Sequence, residues 1–318
     1  MSSPLRGLTL ADLRLRKSLK WRRYPQDVLP MWVAEMDTRL AEPIVAALEE
    51  AIALGDTGYA GTGSVDAGDY GEALVGFARE RWGWTIEVGQ TLAMPDVMLG
   101  VSELLKLVTQ PGDAVVVNPP VYPPFYMFLN SLGRRVVEAP LTASGRLDFD
   151  TLDRALPGAS AYLLCSPHNP TGTVHTEAEL ASVARLAASH GVRVIADEIH
   201  APLVLPGATF VPYLSVAPDS DGFSLMSASK AWNLAGLKAA IAIAAAAAGP
   251  DLARVPVEVS HGVSHLGVLS HVAEYRHGGS WLDGLLADLD GNRALLGRLL
   301  DAELPAVGYR PPEATYLA

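Results

Sequence analysis

AYLLCSPHNPTGTVHTEAELASVARLAASHGVRVIADEIH, residues 161–200, is the stretch whose reading decides the fold. Ala161–Cys165 is an apolar run of strand length. Ser166-Pro167-His168-Asn169-Pro170-Thr171-Gly172 breaks it with turn formers. Apolar residues then recur at helical spacing over Glu177–Ser189, behind the N-cap candidate Thr176 and ahead of Gly191, with His190 near the C-terminal end. Val192–Ala196 is a second apolar strand. Strands apolar throughout and joined through a helix belong to a parallel sheet buried on both faces.

The same alternation extends outward from about residue 91. Ala114–Val117, Arg135–Ala139, Ser224–Met226 and Ala239–Ala244 are strands by pattern, and Val101–Val108 is helical. The fold class is therefore α/β, a mostly parallel sheet covered by helices, and ligands in such sheets sit beyond the carboxyl ends of the strands. The length, 318 residues, allows one large core plus a smaller lobe. Residues 1–45, holding Trp21, Pro25, Pro30 and Trp32, form an irregular arm. Residues 46–280 form the large domain. A helix-rich segment runs from about Trp281 to residue 318.

A net charge of -11 argues against a nucleic-acid partner. The only basic cluster is Arg14, Arg16, Lys17, Lys20, Arg22 and Arg23; interleaved with Leu and Trp, it reads as an amphipathic surface helix. One cysteine, Cys165, fits a reducing compartment. The N-terminus lacks the apolar core of a signal peptide, and the most apolar run, Ala239–Ala248, is half the roughly 20 residues a membrane span needs. A soluble, cytoplasmic protein without a membrane partner is expected.

Four elements carry chemistry. Lys230, in Ser227-Ala228-Ser229-Lys230, follows a strand and is flanked by hydroxyls that could bind phosphate, which suits a Schiff-base lysine; a surface loop lysine is the plainer alternative. Asp197 follows directly on a buried strand, and a buried carboxylate needs a partner, such as the N–H of a protonated ring. Metal ligation by Asp197, Glu198 and His200 competes poorly, because adjacent residues on a strand point to opposite faces. Asn169 is aimed by its rigid turn, and Tyr122, within Asn118–Phe125, is an aromatic fixed by prolines at a strand end. No metal site is expected: His261, His265, His271 and His277 are irregularly spaced for one helix face. Gly61-Thr62-Gly63 lacks both a preceding strand and a third glycine, so it is no dinucleotide fingerprint.

Taken together these residues resemble the fold-type I, pyridoxal-5'-phosphate (PLP) dependent enzymes of the class I/II aminotransferase superfamily, and within it the MalY/PatB-type branch of cystathionine β-lyases and other C–S lyases. LPMWVAEMD at 29–37, PPVYPPFY at 119–126, SPHNPTG at 166–172, ADEIH at 196–200 and SASKAWNLAGLK at 227–238 carry the likeness. The resemblance implies PLP as cofactor, bound covalently by Lys230, which later moves protons. It implies that Asp197 pairs with the pyridine nitrogen, Asn169 hydrogen-bonds the ring hydroxyl, His200 binds the cofactor where many aminotransferases place a tyrosine, and Tyr122 stacks on the ring. Ser227, Ser229, Lys238 and the backbone at Val97 and Met98 would hold the phosphate. Asp96 departs from the pattern, since similar enzymes often have a small residue there, and an acid beside a phosphate repels it unless it turns away to cap the helix. Tyr59 resembles a tyrosine that reaches the phosphate of a neighbouring subunit, which implies a homodimer.

The implied reaction is an α,β-elimination on cystathionine or a related cysteine S-conjugate, giving pyruvate, ammonia and a thiol. An aminotransferase using the same residues, and a catalytically weak regulatory or binding protein of the same fold, are the alternatives. In similar proteins Pro312–Ala318 opens a strand of a small C-terminal domain, and the arginine that grips the substrate carboxylate comes from beyond it. That arginine maps onto no residue here, so 281–318 reads as an incomplete small domain with exposed sheet edges.

Overall fold

A computed structural model describes residues 3–62 and 67–318; Gly63 of the Gly61-Thr62-Gly63 triplet lies outside them. Seven strands form one sheet in the order β1-β7-β6-β5-β4-β2-β3: β1 Thr91–Met94, β2 Ala114–Val117, β3 Arg135–Glu138, β4 Ala159–Cys165, β5 Arg193–Asp197, β6 Phe223–Met226 and β7 Ala240–Ala244. Strands β3, β2, β4, β5 and β6 pair in parallel, and β7 runs antiparallel to both neighbours, β6 and β1. The strands anticipated from pattern are all present, with ends moved by one or two residues. The exception to expectation is β1, four buried residues too short to carry a period of their own.

Alternation along the strands divides the core. Val116, Tyr162, Leu164, Val194, Ala196, Met226 and Ile241 face one side; Val115, Val117, Leu163, Cys165, Ile195, Leu225 and Ala242 face the other. The second face is covered by the helix Val97–Val108. Gly100 lets that helix lie close on the sheet, because a Cβ there would overlap the Leu225 side chain. The Glu177–His190 helix has the anticipated ends: Thr176 and Glu179 form a reciprocal capping box, and Gly191 closes it at φ 65°.

Two expectations are corrected. The basic stretch is two short helices, Leu10–Arg14 and Leu19–Arg22, and Lys20 and Trp21 point inward. Asp37 draws them in, one oxygen 2.8 Å from Lys20 Nζ and the other accepting from Trp21 Nε1 at 2.9 Å. At the other end, the helix Gly279–Glu303 stops ahead of Pro305, and residues 304–318 return across the molecule without helix. This strap is stitched down by backbone bonds: Leu205 N–H to Glu313 O, Ala314 N–H to Gly172 O and Thr315 N–H to Leu203 O, at 2.9, 2.9 and 3.0 Å. No helix among the described residues is long and apolar enough to cross a membrane.

Candidate active site

The carboxyl ends of β4, β5 and β6 meet beneath a cavity of about 570 Å³. Asp197 ends β5 and shares the face of Ile195, two residues earlier, so its side chain points into the cavity rather than to the opposite core. It is 4% exposed, and its Oδ1 accepts from Ile199 N–H at 3.2 Å. Burial raises its carboxyl to about 6, against the pull of that hydrogen bond and of the Lys230 charge. Glu198 turns the other way: Oε1 accepts from Tyr213 N–H at 2.7 Å and Oε2 from the Ser224 hydroxyl, while burial pushes it to about 8. The Asp197, Glu198, His200 metal set therefore does not converge. His200 is buried, with Nδ1 unpartnered among the described residues, and desolvation lowers it to about 3, so the imidazole is neutral.

Lys230 sits in the turn after β6. Trp232 anchors that turn, fully buried against Phe77 and Tyr275 at ring separations of 5.7 and 5.9 Å. Burial lowers the Lys230 ammonium, Asp197 raises it, and Lys238 lowers it again. Asn169 lines the cavity from the turn after β4. Its backbone N–H meets Cys165 Sγ at 3.3 Å, and His168 N–H to Thr173 O and Gly172 N–H to His168 O, both 2.8 Å, close the turn behind it. Tyr122 rises from the segment after β2 with its ring edge-on to Phe125, 5.9 Å between centroids; burial and then the Asp197 charge raise its phenol.

The Val97–Val108 helix points its start at the cavity. Asp96 is its N-cap: Oδ1 accepts from Leu99 N–H at 2.8 Å, and Oδ2 lies 2.6 Å from Lys238 Nζ. The side chain does turn to cap the helix, and it also claims the lysine. Lys230, Asp197, Asn169, His200, Tyr122, Ser229, Lys238, Val97 and Met98 all line this one cavity. Ser227 does not: its hydroxyl donates to Ala239 O at 2.7 Å and accepts from Ser229 N–H at 3.1 Å, shaping the lysine turn from below. Tyr59 does not reach the cavity of its own chain either; it is 86% exposed, its ring 6.0 Å from that of His261.

Sequence reasoning assigned no role to the walls. Trp32, Val33 and Ala34 from the arm and Leu317 from the strap complete the cavity. Tyr316 OH donates to Ala34 O at 3.1 Å, joining strap to arm. Asn233, three residues after Lys230, grips the arm through Met36: Met36 N–H donates to Oδ1 at 2.8 Å, and Nδ2 donates to Met36 O at 2.9 Å. Its backbone is left-handed, φ 61°, a conformation Asn tolerates better than most residues. An Asn in a Lys-Ala-Trp-Asn-Leu turn was the available signal, but its partner lies 197 positions away.

A family model for aminotransferase class I and II matches residues 27–273. The chain belongs to that family. It is 55% identical to a Mycobacterium leprae protein named "Putative cystathionine beta-lyase", over 99% of this chain and 80% of that one. It is 34% identical to cystathionine beta-lyase PatB of Bacillus subtilis, over 95% of this chain and 80% of that protein. Among solved structures, the PLP-bound C–S lyase of Staphylococcus hominis superposes with a TM-score of 0.85 at 28% identity, covering 94% of this chain and 78% of that one.

Proposed function

We propose that this chain is a PLP-dependent carbon–sulfur β-lyase acting on cystathionine or a related cysteine S-conjugate. The observation that carries the reading is the convergence of Lys230 and Asp197 on one cavity, in a chain 55% identical to a protein bearing the cystathionine β-lyase name. The residues present fit the cofactor. Asp197 is a buried carboxylate with one hydrogen bond among the described residues, so a ring N–H would supply the partner that burial demands. The first N–H groups of the Val97–Val108 helix have no partner within the helix and face the cavity, as an anion site requires.

PLP, when bound, supplies a conjugated ring that accepts the electron pair left at the substrate Cα. Lys230 Nζ would hold the cofactor and then serve as base. Desolvation weakens its ammonium, which favours the free amine able to take the Cα proton and pass it on. Asp197 would hold the ring nitrogen protonated, and Asn169 and the neutral His200 would set the ring's in-plane position. Tyr122 would cover one ring face. Ser229, Lys238 and the N–H groups of Val97 and Met98 would receive the phosphate. Trp32, Val33, Met127, Phe128 and Leu317 make the remaining wall apolar, which suits a thioether side chain.

A homodimer is part of this reading. Tyr59 stands exposed beside His261, where it would reach the phosphate end of a partner's cavity. The test of the whole is direct: the holoenzyme with L-cystathionine should release pyruvate and free thiol, and Lys230→Ala should release neither. Transfer of the amino group to a 2-oxo acid, without pyruvate, would make the chain an aminotransferase.

A further inference from the structure

The cavity lining holds two lysines, Lys230 and Lys238, and two carboxylates, Asp96 and Asp197. Asp197 lies with Lys230 at the strand ends. Asp96 and Lys238 lie together at the helix start, 2.6 Å apart, so the end offered to a phosphate carries one cation already matched by one anion. The Asp96 carboxylate also caps the helix through Leu99 N–H, placing its charge at the positive end of the helix dipole. A phosphate monoester with nearly two negative charges would meet that carboxylate beside the Val97 and Met98 N–H groups it needs, because the carboxylate holds the next N–H, that of Leu99. A small residue at position 96 would leave both the dipole and Lys238 to the phosphate.

We propose that Asp96 sets how tightly the phosphate end is held: it keeps Lys238 at the helix start in the cofactor-free protein and weakens the grip on the phosphate when cofactor binds. The inference rests on the cofactor reading above. Asp96 is a positioning residue whose charge acts in opposite senses on the two forms. Cofactor-free protein gains an ion pair, and the loaded protein carries a like-charge contact.

Asp96→Asn removes the charge and keeps an N-cap side chain. Equilibrium dialysis of the cofactor-free full chain against PLP and, separately, against pyridoxal lacking the phosphate reads the effect. Loss of one like charge a few ångströms from the phosphate should tighten PLP about tenfold. Pyridoxal affinity should stay unchanged, and the melting temperature of the cofactor-free variant should fall. PLP binding that is unchanged or weaker overturns the proposal, and so does equal tightening of pyridoxal. Should Asp96→Asn fail to fold, Asp96→Ser retains a cap and serves in its place. Borohydride trapping with mass mapping separates the two levels of argument. An adduct on Lys230 with unaltered PLP affinity refutes this inference alone, whereas no adduct on Lys230 in wild type or variant removes the cofactor reading with it.

Discussion

Asn233 joins the turn that carries Lys230 to the arm that walls the cavity, and its replacement has a magnitude the geometry allows to be worked out. Both backbone groups of Met36, a residue 5% exposed, pair with the Asn233 amide. Asn233→Gly deletes both bonds and keeps a residue at home at φ 61°. At about 1 kcal/mol per bond, and with the extra freedom glycine adds to the unfolded chain, the loss should be about 2 to 3 kcal/mol. Asn233→Val deletes the same bonds and forces a β-branched residue into the left-handed region, adding about 1 to 2 kcal/mol. Urea midpoints at constant m-value give the two numbers. Because Met36 anchors Trp32–Ala34, the KM for L-cystathionine should rise in both variants, while the extent of borohydride trapping on Lys230 stays at the wild-type level. A glycine variant within about 0.5 kcal/mol of wild type, the scatter of neutral surface changes, would refute the clamp. Stability lost with KM unmoved would leave the clamp intact but detach it from the cavity.

Gly172 stands at φ 63°, and a Cβ there would meet Ala314 O at 2.8 Å and overlap Pro312. Gly172→Ala should therefore lift the strap, raise KM and cost about 2 kcal/mol or more in urea unfolding. Glu274 is fully buried, both carboxyl oxygens lack partners among the described residues, and burial raises it to about 8. A raised carboxyl keeps its proton in the fold, so its stabilising share is complete below about 4.5 and is lost as pH climbs toward 8. Thermal melts of Glu274→Gln should show a shallower decline across that window than wild type, and identical slopes would count against the assignment. For the dimer, Lys230→Ala and Tyr59→Ala chains, each inactive, should regain about a quarter of wild-type activity after mixing, because half the two-fold dimers would hold one intact site. No recovery after demonstrated subunit exchange would place Tyr59 outside the partner's site.

The sheet was legible because its central strands hold apolar runs and its longest crossover helix carries both caps in the sequence. The cavity floor was legible for a related reason. Asp197 ends a strand, Asn169 and Lys230 each follow one, and parallel strands deliver their carboxyl ends to one edge. The walls were not. Leu317 reaches the cavity, and Tyr316 the arm, only because the strap doubles back over Gly172, and a backbone-to-backbone seam leaves no side-chain pattern to read. The inward turn of Lys20 was hidden in the same way. Its spacing is that of a surface helix, and Asp37 and the Glu35 carbonyl, 17 and 15 residues on, reverse it. Ser227 shows the limit of motif transfer: its place beside Lys230 was right, yet Ala239 O holds its hydroxyl away from the cavity.

Burial acts on every ionisable group of the floor in the direction of neutrality. It raises Asp197, lowers Lys230 and lowers His200, and the mutual attraction of Asp197 and Lys230 offsets it only in part. Such an arrangement is costly for the protein alone, since buried charges need partners and Asp197 has a single backbone donor among the described residues. In the proposed reading, a flat cation with an N–H at one end would remove the cost at Asp197 and leave the Lys230 amine to face the reacting carbon. Burial lowers the Lys230 ammonium, which favours the free amine that proton removal would need. The phosphate end is built on the opposite plan. Lys238 and Asp96 are already matched, at a helix start open to solvent, so little is gained there when an anion arrives. Binding strength and chemical reactivity should therefore respond to different residues: changes at Asp197 should alter the rate of proton removal, and changes at Asp96 or Lys238 should alter occupancy while leaving that rate, measured on the loaded fraction, in place.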